Sequence, residues 1–204
     1  MNNKCCPEYD KSNEECINCK NEDRNRKLAA KLIILECKSF YATFKLIEPY
    51  IIKVQKNMTN LVYDEEDCEN EIMYHFSYVV NGAFAVELAI KYLLTLANID
   101  YCTGEKGHNL LDLYKKLSLN KKSIIPDKKV IFERLCELGH QNEETILLNL
   151  TSLQDCYNRY RYSFSYSSVG HSGFFGVLVN VICSYAIDKS NTLAEECEDG
   201  ENEI

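Results

Sequence analysis

The stretch from Phe76 to Leu96, FSYVVNGAFAVELAIKYLLTL, is apolar almost all round. A helix without a polar face belongs at the centre of a bundle, where neighbours cover every side. With Val86 at zero on a helical wheel, Val79, Ala83, Ile90, Leu93 and Ala97 fall within about 60° of it and form the main core face. Gly82, Ala85 and Ala89 lie to one side, where small residues admit a second helix. Phe76, Val80, Phe84, Glu87, Lys91 and Leu94 lie on the other. Glu87 and Lys91 are four residues apart, in the favourable acid-first order, worth about 0.2–0.5 kcal/mol on an exposed helix. On so apolar a helix the two charges are either an interhelical structural ion pair or the floor of a site.

Outward from this stretch the chain reads as helices. Three prolines and eight glycines in 204 residues leave room for long ones, and 46% hydrophobic residues suffice for a core. Helix one is predicted from about Arg26 to Met58, with Leu28, Leu32, Leu35, Phe40, Phe44, Ile47 and Ile51 at helical spacing. Pro49 is expected to kink or break it near Ile47. The central helix starts near Cys68. A loop, Asn98 to Gly107, leads to a short amphipathic helix capped by His108 or Asn109. Further helices are predicted from about Asp127 to Leu138, stopping at Gly139, from Asn142 toward Tyr157, and from Ser172 to about Asn191. The expected fold is therefore all-α, an up-and-down bundle of about five to six helices. A cysteine-rich polar extension (1–25) precedes the helical domain (26–191), and an acidic tail (192–204) follows it.

The net charge is −8, and six acids between Glu195 and Glu203 account for most of it. The overall field repels nucleic acid, so any such contact needs a local basic patch. Lys121, Lys122, Lys128 and Lys129 make one small cluster, read as a solvated loop. Eleven cysteines, an odd number, are mostly scattered through apolar helical patterns, as free buried thiols are. The polar start MNNKCCPEYD does not read as a secretory leader. No uninterrupted apolar run reaches the length a bilayer needs. The expectation is a soluble, reduced, cytoplasmic protein with no membrane contact and no cofactor. Cys16 and Cys19 form a CxxC that could grip zinc, but Cys5 or Cys6 would have to complete the site and no histidine is near, so no metal is assigned.

The most unusual composition is Tyr157-Asn-Arg159-Tyr-Arg161-Tyr162-Ser-Phe-Ser-Tyr166, followed by His171. Arginine forks onto phosphate and tyrosine stacks on a base. The alternative is that the tyrosines pack at a helix end and the arginines pair with acids such as Glu87. No serine–histidine–aspartate series, phosphate-cradling glycine loop or carboxylate pair stands out, which disfavours hydrolase, NTPase and glycosidase chemistry.

Three segments resemble, in order, the motifs of the HEPN domain family. Ala83-Phe-Ala-Val-Glu87-Leu-Ala-Ile-Lys91-Tyr-Leu-Leu is similar to its central helix. Gly107-His108-Asn-Leu-Leu-Asp-Leu is similar to a following helix start, and Tyr157-x-x-x-Arg161-Tyr162 to the element before the last helix. The resemblance spans about Phe76 to Asp188. It implies either a metal-independent ribonuclease of a toxin–antitoxin or defence system, acting as a homodimer, or a non-catalytic module that binds RNA, a nucleotide or a protein partner such as an antitoxin or a nucleotidyltransferase. Carried onto this chain, it implies Arg161 as phosphate grip and His171 as general acid or base. Glu87, Lys91, His108, Arg159 and Tyr162 would be the RNA- or nucleotide-binding set. Nine residues separate Arg161 from His171, more than in catalytic members, and Ser163 stands where many members have proline.

Overall fold

The computed structural model describes residues 17–59, 65–101, 105–117, 126–139, 144, 146–147, 150–151 and 172–201. Among these there are five α-helices and no strand: α1 (Ile17–Thr59), α2 (Glu65–Leu96), α3 (Leu110–Lys116), α4 (Pro126–Glu137) and α5 (Ser172–Glu201), with a 3-10 turn at Glu105–His108. The fold is the all-α helical bundle that the sequence predicts. Residues 144, 146, 147, 150 and 151 are also helical, and Ile146 and Leu150 are buried.

The centre is a three-helix unit. α1 and α2 run antiparallel, held by stacked rings at Phe40–Phe84, Phe44–Tyr78 and Tyr50–Tyr74. Phe175 of α5 meets Phe44 and Tyr78 edge-on. Gly82 makes that approach possible: a Cβ there would lie 2.5 Å from the Phe175 ring, so even alanine would displace it. The side of α2 expected to admit a close neighbour does so, and Ala85 and Ala89 are fully buried. Beside them the buried Cys183 thiol of α5 hydrogen-bonds to Cys37 of α1, and Cys37 Sγ donates to the Ala85 carbonyl at 3.4 Å. Both thiols are free.

From Tyr74 to Leu96 no residue of α2 is exposed. Val79, Ala83, Val86, Ile90 and Leu93 are each at most 2% exposed, as the wheel predicts. By length and composition Tyr74–Leu96 could cross a membrane, although its uninterrupted apolar runs are shorter than a bilayer needs. Two thirds of its most apolar window is buried inside the bundle. The helix ends in a Schellman motif. Asn98 takes a left-handed φ of 54°, its N–H reaches the Thr95 carbonyl, and the Ile99 N–H reaches the Leu94 carbonyl. The reversal carries the chain back toward Tyr101 and the 3-10 turn.

Four expectations change. Of the kink or break expected near Ile47, the break does not occur: α1 continues through Pro49 to Thr59. Proline costs one helical hydrogen bond, but Phe44 and Ile51, buried before and after it, hold both turns on the core. The face that α1 buries carries Ala30, Ile34, Cys37, Phe44 and Ile51, whereas Leu28, Leu32 and Leu35 are more than half exposed. The last helix does not stop near Asn191 but runs on to Glu201, so the acidic tail begins as helix. α1 likewise starts at Ile17, within the segment read as an extension.

Candidate functional site

Glu87, Lys91 and Thr95 occupy successive turns on one face of α2. Glu87 is 2% exposed. Its Oε1 accepts from Lys91 Nζ at 2.7 Å and faces His108 Nδ1 at 2.8 Å. The carboxylate is the acceptor, so Nδ1 carries the proton and Nε2 of a neutral ring keeps its lone pair. Lys91 is almost as covered as Glu87, whereas the His108 side chain is one-third exposed. The imidazole is thus the outer edge of the cluster and the carboxylate its floor.

Local sequence explains how His108 gets there. Asn109 caps α3, its side chain accepting from the Asp112 N–H at 3.0 Å. That resolves the choice between His108 and Asn109: asparagine takes the cap and frees the histidine to turn back on α2. Leu110, Leu113 and Tyr114 bury the inner face of α3 and fix the turn before it.

Two members of the cluster were not anticipated. Thr95 Oγ1 donates to the Lys91 carbonyl at 2.8 Å and lies 3.4 Å from the Tyr101 hydroxyl. The Tyr101 ring lies under Lys91 Nζ, 5.6 Å from its centroid. Thr95 could have been found from its spacing, four and eight residues beyond Lys91 and Glu87. Tyr101 depends on the turn at Asn98, whose geometry helical spacing does not fix.

The second oxygen, Glu87 Oε2, is buried and has no hydrogen-bond donor among the described residues. An unsatisfied buried acceptor costs about 1–3 kcal/mol and calls for an explanation. A carboxylate with one oxygen doubly bonded and the other open can take one more N–H or cationic donor.

Of the residues singled out, Glu87, Lys91 and His108 are brought together. Arg159, Arg161, Tyr162 and His171 lie outside the described residues, as do Cys5, Cys6, Cys16, Lys121 and Lys122. Lys129 sits on α4 and pairs with Glu133 at 3.6 Å. Among the described residues no three histidine, cysteine or acidic side chains gather as metal ligands. Comparison with family models, characterised proteins and solved structures returned no match.

Proposed function

We propose that the chain is a HEPN-like RNA- or nucleotide-binding protein of the cytoplasm, working as a homodimer. The observation that supports this reading is the half-open cluster on α2, with a buried carboxylate that orients a partly exposed imidazole. Its burial gives Glu87 a supporting role, with Lys91 holding the carboxylate in place and His108 meeting the ligand. Arg159 and Arg161 would grip phosphate, Tyr162 would stack on a base, and His171 would serve as acid or base if RNA is cut. Such cleavage would need no metal.

The test combines binding and cleavage on one set of variants. A labelled single-stranded RNA is expected to bind the full chain and to bind His108→Ala and Arg161→Ala at least about tenfold more weakly, a difference of about 1.4 kcal/mol. RNA incubated with excess protein in EDTA should be cut by the wild type and spared by His171→Ala. Unaltered affinity in the first two variants would remove the binding reading. RNA left intact by the wild type would remove cleavage alone.

A second reading has an observation of its own. Glu87 and Lys91 are so covered that they could serve only to fix helix register, which makes the chain a non-catalytic helical module for a protein partner such as an antitoxin or a nucleotidyltransferase. Binding of RNA that ignores His108 and Arg161 would favour it.

A further inference from the structure

The outer face of α1 carries an apolar seam. Leu28, Leu32, Leu35 and Leu46 are 57%, 55%, 53% and 74% exposed, and Tyr50 is 53% exposed. With the exposed Ser39 and Ala42 the four leucines follow alternating steps of four and three residues, Tyr50 lies one turn beyond Leu46, and all fall within about 40° of one line along the helix. This line lies opposite the core face of Ala30, Ile34, Cys37 and Phe44. It is about 33 Å long, or three heptads.

The seam has a charged edge. Arg24, Lys31, Lys38 and Lys45 recur every seven residues along one side of it. Among the described residues only Lys45 of this row is paired with a carboxylate, that of Glu48. Lys38 donates to the neutral Asn191 side chain, and Arg24 and Lys31 have no ion-pair partner among the described residues. The concentration is marked, since α1 holds nine bases against four acids in a chain of net charge −8.

We propose that this face docks an amphipathic helix of a partner protein, with an apolar heptad seam and a row of acids along its edge. Charge decides against the other occupants. A second copy of α1 packed antiparallel would set the basic row against itself. Packed parallel, it would match only Lys31 with Glu36. A membrane surface suits a wide apolar face, and this seam is narrow and spaced like that of a coiled coil. The seam lies on α1, away from Glu87, and the inference does not rest on RNA binding.

The probe is a synthetic four-heptad peptide with leucine at both seam positions and glutamate on both edges, titrated into the full chain by calorimetry. Binding near 10 µM is expected. The double variant Leu32→Asp, Leu35→Asp should weaken it at least about tenfold and Lys31→Glu about threefold. These side chains are exposed, so circular dichroism should show unchanged helix. A peptide with lysine edges should bind the wild type worse and a Lys31→Glu, Lys38→Glu variant better. No binding of the acidic peptide, affinity indifferent to the leucines, or preference of the wild type for the lysine peptide would each overturn the proposal. So would leucine-dependent self-association in sedimentation that exceeds peptide binding. Leucine-dependent capture by vesicles of equal phosphatidylcholine and phosphatidylglycerol, stronger than peptide binding, would assign the face to membrane instead.

Discussion

Two glutamates on the long helices of this bundle answer the same problem differently. Glu48 of α1 and Glu87 of α2 are both largely covered and each has a lysine within one turn. Glu48 is complete. Oε1 accepts from Asn180 Nδ2 of α5 at 2.8 Å, and Oε2 accepts from Lys45. Asn180 Oδ1 in turn accepts from Tyr41 at 2.9 Å and from Lys45 at 3.2 Å. Glu87 puts Lys91 and His108 on one oxygen and leaves the other without a donor among the described residues. A network in which every atom is used locks two helices together. One that leaves a buried acceptor open keeps a position for something further, at a cost to stability. The contrast separates an element of architecture from a candidate site even though the residue types are alike.

The largest expected effect comes from removing the lysine partners. Lys91→Met strands a carboxylate that water cannot reach and should cost about 3 kcal/mol. Lys45→Met frees a carboxylate oxygen near solvent, and Lys45 itself is nearly half exposed, so its loss should cost less than about 1 kcal/mol. Urea unfolding of the two variants measures the difference. Adding Glu87→Leu to Lys91→Met should recover most of the loss, because the buried charge is gone. Equal costs for the two lysines would erase the distinction between the networks.

Next in size is Asn180→Ala. It removes the donor to Glu48 and the acceptor for Tyr41 together, and about 2 kcal/mol of stability is expected to go with them. RNA affinity should not change, because the network is remote from His108. If affinity fell in step with stability, the α1–α5 seam would be joined to the site rather than separate from it.

Much of this was legible in the sequence, and the failures have physical reasons. The wheel of α2 placed its core face correctly from Val79 to Leu93, because a helix apolar all round has no alternative faces to confuse, and it failed only at Ala97, which lies past the helix end and is half-buried. α1 has two apolar stripes, and periodicity detects both without ranking them. Leu28, Leu32 and Leu35 are the more hydrophobic stripe, but Ala30 and Cys37 are smaller and let α2 and α5 come closer, so packing selects the other. Glu87 and Lys91 were legible because their bond is local. The bond from His108 spans 21 residues and depends on the turn at Asn98, and that between Glu48 and Asn180 spans 132. Nothing in helical spacing fixes contacts between elements so far apart.

The smallest expected effect is on alkaline stability, and it belongs to the α1–α5 seam. Burial first, then the nearby Cys183 and Glu48, push the Tyr41 phenol up to about 12 from 10.0. Burial and the bond to Cys37 raise the Cys183 thiol well above 9.0. In both groups the fold holds the neutral form, so the unfolded chain releases its protons at lower pH. The unfolded state then binds fewer protons, and stability falls as pH rises. The thiol contribution is whole below about pH 9, that of Tyr41 below about pH 10, and the latter is lost as pH rises through about 12. Tyr41 is half-buried, so water screens its share to less than about 1 kcal/mol. Urea unfolding at about pH 8 and pH 11 should show Tyr41→Phe losing less stability between the two than the wild type. Parallel losses would mean that the Tyr41 hydroxyl is as free to ionise in the fold as in the unfolded chain, and the Glu48 network would then be less closed than its hydrogen bonds make it.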